Sequence, residues 1–576
     1  MTTPFLVATV VALLVGALVF RIRQTGRARA IAQLRATWGQ PTLRERKMDA
    51  IAESHRSRAA GAGENAALDD RTWNDLLMDD VFAACDRTES TLGQHALYHR
   101  LRSTPADRHL DAFEALVTRM TEDVAARERA QLALARLRDP HGYDLWWIGQ
   151  REVLEPRAWH IVFPVLALIM LGLIVTLPIW PGLLPLLVAA VAAGLMLRYS
   201  ANRRVLDVAA AFRKFAPIIA TGQALTFLEG PAIDPLVAPL RQDTASLGRL
   251  KTIARWVSGD PFMLSVSPSG FAVIASDVAG IIYDYVNYLF LLDANGVYFG
   301  AAELRKRGGA LLRVMAAAGD VDAAISVASY RSSLGTWTRP AFLASGATAT
   351  LANVRHPLVA DAVPNSLPMV PGRGVLVTGS NMSGKSTLLR TVGVNVLLAQ
   401  TIHTCLAETY AAPVFTLRSC IGRSDDLLSG KSYYIVEVES LNELVRASQG
   451  EASHLFLLDE MFRGTNAVER IAAGQAVLRG LVECADGRRR HVVLAATHDG
   501  ELVDLLPDRF DAVHFGDTVG DDGIVFNYQL QSGRATTRNA IALLKQKGAP
   551  DRLVQEAMAC AEALDEARAA GALRGR

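Results

Sequence analysis

The chain has 576 residues, half of them hydrophobic, and a formal net charge of +2. That length holds several domains, and the balance of charge excludes a globally basic nucleic-acid binder, so any such contact must come from local patches. The five cysteines (Cys85, Cys405, Cys420, Cys484 and Cys560) form no C-x-x-C pair, which excludes a zinc or disulfide framework and reads as thiols in a reducing compartment.

Mean hydropathy is positive, which directs attention to membrane segments. Residues 4–20 carry no charged side chain, and Arg21, Arg23, Arg27 and Arg29 follow. At about 17 residues the run is near the lower limit for a span. A cleaved signal places its positive charge first. The order here reads as a retained anchor over 1–20, with the N-terminus outside and the following chain in the cytoplasm. Residues 21–66 read as an arginine-rich juxtamembrane linker.

Residues 67–157 have a helical pattern, with Trp73, Leu76, Leu77, Val81 and Phe82 at three- and four-residue steps. Residues 158–197 contain no Asp, Glu, Lys or Arg, enough for two spans of about 20 residues each. Trp180-Pro181-Gly182 supplies the turn. Arg151 and Arg157 before this hairpin, and Arg198, Arg203 and Arg204 after it, put both ends in the cytoplasm. The expectation is a multi-pass inner-membrane protein with three transmembrane helices. Residues 198–345 return to a helical core or lever, 346–532 alternate short apolar strands with helices as in an α/β domain, and 533–576 are a helical tail.

The chemistry concentrates in the α/β part. Gly379-Ser380-Asn381-Met382-Ser383-Gly384-Lys385-Ser386-Thr387 fits G-x-x-x-x-G-K-[ST]. A strand-like run precedes it and a helix-competent run follows. Glycines let the backbone wrap a phosphate, and the helix N-terminus adds its positive end. Lys385 is placed for the β- and γ-phosphates of ATP and Ser386 for Mg²⁺. A second apolar strand ends at Asp459-Glu460. There Asp459 can hold Mg²⁺ through water, and Glu460 can orient and deprotonate the attacking water. A third ends at Thr497-His498, where His498 can report the γ-phosphate. A helix cap for the acidic pair and a structural role for the histidine are the blander alternatives.

These motifs resemble the MutS mismatch-repair ATPases. Thr378 to Thr387 is similar to the family's phosphate loop, T-G-x-N-M-x-G-K-S-T. Ile421-Gly-Arg-Ser-Asp-Asp-Leu-Leu-Ser-Gly-Lys-Ser-Tyr-Tyr-Ile-Val-Glu437 resembles its signature segment, Leu457-Leu-Asp-Glu-Met-Phe-Arg-Gly-Thr465 its Walker B region, and Ala496-Thr-His-Asp-Gly-Glu-Leu502 its A-T-H-x-x-E-L. Asp86-Arg-Thr-Glu-Ser-Thr-Leu-Gly93 resembles the start of its lever domain. The resemblance implies a C-terminal phosphate-loop ATPase domain of the ABC type, with Asn381 on phosphate. It also implies a homodimer in which Ser432 of one copy reaches the nucleotide of the other.

Two departures stand out. A span and a linker occupy the place of the family's mismatch-reading domain, with Phe227-Leu-Glu229 read as packing. No aromatic stands near Ala362-Val363, where the family packs one on adenine. The expected function is an ATP hydrolase on composite dimer sites that binds double-stranded DNA from the bilayer surface. The alternative is a membrane-anchored mechanical switch acting on a protein or lipid partner without DNA. A transporter is disfavoured, because no polar residue inside the spans marks a substrate route.

Overall fold

The computed structural model describes residues 17–569, except 18–19, 22–23, 61–67, 104–106, 140–144, 150–160, 201–202, 259–284, 381–382, 422–432, 484–486, 488–489, 521–522, 535–540, 542–543 and isolated single positions. The chain forms two compact units, one of residues 1–67 with 85–333 and one of 68–84 with 334–576.

The first unit is helical and is built on a 42-residue helix, Leu292–Ser333. Leu311, Val314, Met315, Ala318, Val321 and Ile325 recur along it at three- and four-residue steps and are all buried, the stripe expected of a core-facing helix. The helix Thr91–Arg102 lies close against it. A Cβ on Gly93 would meet the Asp322 side chain at 2.2 Å, and one on Gly319 would meet the Leu92 carbonyl oxygen at 2.8 Å. The lever-like motif is tied down by carboxylates. Asp322 accepts from the backbone N–H of Glu89 (2.9 Å) and Ser90 (2.7 Å) and from the Ser90 hydroxyl (2.6 Å). Asp86 accepts from Arg46 (2.8 Å) and Gln94 (2.9 Å), and Ser90 caps the helix by accepting from Gly93 N–H. Phe227 lies under the Arg129 guanidinium, 3.9 Å from ring centre to carbon, a packing contact.

The membrane expectation is overturned. None of the described helices is long and apolar enough to cross a membrane. The uncharged stretch 158–197 folds into helices Val162–Thr176 and Leu184–Ser200, of 15 and 17 residues. At 1.5 Å per residue these reach about 23 and 26 Å, short of a hydrocarbon core of about 30 Å. Absence of charge marked the stretch, but the turn around Pro181 consumes residues that two full spans would need. Of residues 4–20, only Ala17 and Phe20 are described. The three-span architecture, the bilayer partner, the inner-membrane location and the membrane-anchored switch all rested on these segments and go with them.

Among the described residues the second unit holds ten strands: β1 (Ala341–Phe342), β2 (Ala349–Val354), β3 (Asn365–Met369), β4 (Arg373–Thr378), β5 (Thr409–Ala412), β6 (Thr416–Cys420), β7 (His454–Asp459), β8 (Val492–Ala496), β9 (Phe510–Gly520) and β10 (Gly523–Ser532). Strands β1, β5, β2 and β3 form a small sheet, and the others a six-stranded sheet of order β10-β9-β4-β8-β7-β6. Strands β9, β4, β8, β7 and β6 run parallel, and β10 closes the edge as an antiparallel hairpin with β9. The central strands β7 and β8 are apolar along nearly their whole length and buried, as a parallel sheet covered on both faces requires. Gly374 is needed on β4, because a Cβ there would strike the Phe510 ring at 2.0 Å.

Candidate nucleotide-binding site

The site lies at the C-terminal ends of β4, β8 and β7, where ligands collect in open α/β sheets. Register brings the three ends level: Val377 pairs with Ala496, and Ala496 with Asp459. Two backbone bonds continue the alignment past the strands, Thr497 N–H to Val377 C=O (3.0 Å) and Glu460 N–H to Ala496 C=O (2.9 Å). The phosphate loop, the acidic pair and the histidine, far apart in sequence, thus meet in one place.

The loop leaves β4 at Gly379 (φ 143°) and enters the helix Lys385–Ile402 through Gly384 (φ 105°). These are backbone states that glycine alone adopts at little cost. Lys385 turns back over the loop and donates to the carbonyls of Gly379 (3.0 Å) and Ser380 (2.8 Å). Burial pulls its ammonium down to about 8, against a raising influence from Asp459. Ser383 is fully buried and its hydroxyl has no hydrogen-bond partner, while Thr387 is exposed. Asn381, Met382 and Ser432 lie outside the described residues.

Ser386 donates its hydroxyl to Asp459 Oδ2 at 2.6 Å, and Asp459 Oδ1 is buried with no partner. Two hard oxygen ligands, one an orphaned carboxylate oxygen, fit a Mg²⁺ ion that completes its shell with water and phosphate. Glu460 is ion-paired with Arg463 and lies 2.7 Å from His498 Nε2. That nitrogen is also 3.3 Å from Lys385 Nζ. Burial first, and then the Lys385 charge, lower the His498 pKa, which favours the neutral imidazole beside Glu460.

The left-handed backbone at the acidic pair, and the parts played by Phe462, Glu437, Arg470, Asp499 and Tyr528, carry no signal in the sequence. Glu460 (φ 52°) and Phe462 (φ 59°) adopt left-handed backbone, a strained state for non-glycine residues that needs outside support. Glu437, at the end of the signature-like segment, accepts the Phe462 N–H at 2.7 Å. Arg470 grips Asp499 with two bonds of 2.8 and 2.7 Å, bracing the turn after His498. Tyr528, half exposed at 45%, lies on the irregular part of β10; a Cβ added at Gly384 would be 3.4 Å from its ring. The resemblance places an aromatic upstream of the loop, whereas the ring beside Gly384 comes from more than a hundred residues downstream.

Residues 375–565 match the family described as MutS domain V. Over 276 residues the chain is 34% identical to DNA mismatch repair protein MutS 2 of Halobacterium salinarum, covering 46% of this chain and 30% of that one. It is 37% identical over 258 residues to DNA mismatch repair protein MutS of Thermus thermophilus, covering 44% and 30%. To the MutS of Streptococcus gordonii it is 34% identical over 199 residues, covering 34% and 23%. The chain thus spans less than a third of the length of these curated relatives. Over residues 375–565, where the phosphate loop, acidic pair and histidine converge on one sheet end, the chain is similar to MutS domain V.

Proposed function

We propose that the chain is a MutS-type ATPase that binds Mg²⁺–ATP between two copies of its second unit and couples hydrolysis to duplex DNA. The observation that carries the ATPase reading is the Ser386–Asp459 contact with Glu460 beside it. Lys385 exchanges the carbonyls of Gly379 and Ser380 for the β- and γ-phosphate oxygens. Ser386 and Asp459 hold Mg²⁺, which neutralises phosphate charge when bound. Glu460 takes a proton from a water whose oxygen bonds to the γ-phosphorus. The bond to the bridging oxygen breaks, and ADP leaves with that electron pair. His498, between Glu460 and Lys385, senses whether the γ-phosphate is present. Tyr528 supplies the aromatic face for the base. Asn381 joins the phosphate cradle, and Ser432 of the second copy caps the γ-phosphate.

Duplex DNA as the effector rests on the likeness to proteins named for DNA mismatch repair, which is weaker support than a site. The test is steady-state ATPase activity with matched duplex, mismatched duplex and no DNA, across a salt series. The reading expects a rate change that fades with salt, as counterion release requires. An identical rate in all three conditions removes DNA from the function and leaves the ATPase standing.

A further inference from the structure

The helical unit holds a buried cluster of arginines and histidines. The helix Met48–Ala59 contributes His55 and Arg58, and the helix Thr91–Arg102 contributes His95, His99 and Arg100. The rings of His55 and His99 meet, Nδ1 to Nδ1, at 2.9 Å. Trp146 donates its Nε1–H to His95 Nδ1 at 3.3 Å and carries the Arg58 guanidinium on its face, 4.3 Å from ring centre to carbon. Arg100, 8% exposed, lies on the Phe113 ring at 3.8 Å and donates through Nη2 to Asp320 at 3.0 Å. Arg44 reaches the carbonyls of Thr88 (3.5 Å) and Glu89 (3.4 Å) through Nη1, just before the second of these helices.

An aromatic face takes the flat side of a guanidinium and leaves the in-plane N–H groups in need of acceptors. Nε and Nη1 of Arg100, Nη1 of Arg58, and Nε and Nη2 of Arg44 are all buried, with no hydrogen-bond partner among the described residues. These groups feel one another. Burial pulls Arg58 down to about 10, with Asp320 opposing and Arg100 adding to the fall. Burial first, and then Arg58 and Arg44, pull His95 down to about 3; burial, Arg58, His55 and Arg100 pull His99 down to about 2. Those two rings are therefore neutral, and the arginines set the charge. Asp86 and Glu89 are engaged elsewhere, by Arg46 and Arg138. Among the described residues, Arg44, Arg58 and Arg100 thus face one carboxylate, Asp320. A surplus of two positive charges held out of water is costly unless an anion joins it.

We propose that Arg44, Arg58 and Arg100 bind a dianionic tetrahedral oxyanion, either inorganic phosphate or the phosphoryl group of a phosphomonoester. Guanidinium forks match phosphate oxygens in geometry, and a phosphomonoester carries about −1.5 to −2 at pH 7, which balances the surplus. A single carboxylate would leave one buried cation unmatched. Every residue of the cluster lies in the helical unit, whereas the phosphate loop lies in the other, so this is a second anion site and does not depend on the ATPase.

Phosphate also suits the phosphate loop, so the test uses the full-length Lys385→Ala chain. Calorimetric titration with inorganic phosphate should show one saturable site per chain, and acetate should not compete for it. Adding Arg58→Met should weaken phosphate at least about tenfold. In phosphate-free buffer the same change should raise the melting temperature, because it removes an unmatched buried cation. Arg44→Gln should weaken phosphate similarly and carries the test if Arg58→Met fails to fold. Ribose 5-phosphate binding more tightly than phosphate would support an organic phosphate as the ligand, and the reverse order would support the free ion. No phosphate binding to the Lys385→Ala chain, or undiminished binding after Arg58→Met or Arg44→Gln, would overturn the site. Equal binding of acetate would overturn the dianion.

Discussion

Ser386 and Asp459, 73 positions apart, meet in a 2.6 Å hydrogen bond at the tips of two structural elements, the phosphate-loop helix and β7. A hydroxyl and a carboxylate at that distance preform two oxygen positions for a metal ion, and the second Asp459 oxygen is buried and unclaimed. Ser386→Ala and Asp459→Asn should each abolish the Mg²⁺ dependence of nucleotide binding and lower kcat by about 10² or more. Calorimetric titration of ATP with and without Mg²⁺ checks the first effect and turnover the second. Unchanged Mg²⁺ dependence in both would remove this pair from the metal site.

Glu460→Gln keeps the size of the side chain and removes its basicity. Hydrolysis should fall by about 10²–10⁴, with ATP retained in a closed dimer visible by light scattering. Wild-type turnover in this variant would show that another group accepts the proton.

Lys385 offers a pH test with a definite sign. Its ammonium is lowered by burial to about 8, and the charged form is the one that binds phosphate. ATP affinity should therefore hold below pH 8 and weaken by about tenfold per unit above it. In the nucleotide-free chain the same shift acts oppositely on folding. Between about 8 and the ordinary lysine value, the unfolded chain binds more protons, so this group adds stability as pH rises. Lys385→Ala should lose both effects together with nucleotide binding, and a flat affinity profile in the parent chain would count against the assignment.

Asp322 titrates in the other direction. Burial raises its pKa to about 7, outweighing three donated hydrogen bonds. With its folded value above its unfolded one, its contribution is full below about pH 4 and is lost as pH rises through 7. Asp322→Ala should flatten the melting temperature between those limits. It should also lower stability by about 2–4 kcal/mol, because the N–H groups of Glu89 and Ser90 lose a buried acceptor. Thermal melts across that pH range decide it.

Tyr528→Ala should weaken ATP more than inorganic pyrophosphate, by about 1 kcal/mol or more, because only the nucleotide has a base to stack on the ring. Equal losses for both ligands would limit Tyr528 to supporting the loop at Gly384.

The short motifs were the legible part. A phosphate loop needs small residues and a lysine at set offsets because phosphate geometry demands them, so Gly379 to Thr387 could be read from spacing alone. Strand ends at Asp459 and His498 were visible because a buried parallel strand is an uninterrupted apolar run. Residues 158–197 show the opposite case. Lack of charge is shared by membrane spans and by other apolar helices, and only helix length, 15 and 17 residues, separates them.

Local order, then, was written into the chain itself: which stretch wraps phosphate, which carboxylates follow a buried strand, and which face of each helix is apolar. These are short-range consequences of side-chain size, charge and backbone freedom. Tertiary structure decided the pairings between distant residues. It set Asp75 under Ser419 and Ile421, Tyr528 beside Gly384, and Glu437 against the strained backbone at Phe462. Such contacts depend on strand order and packing, and one hydrogen bond across 344 residues leaves no periodic trace in the sequence that could announce it.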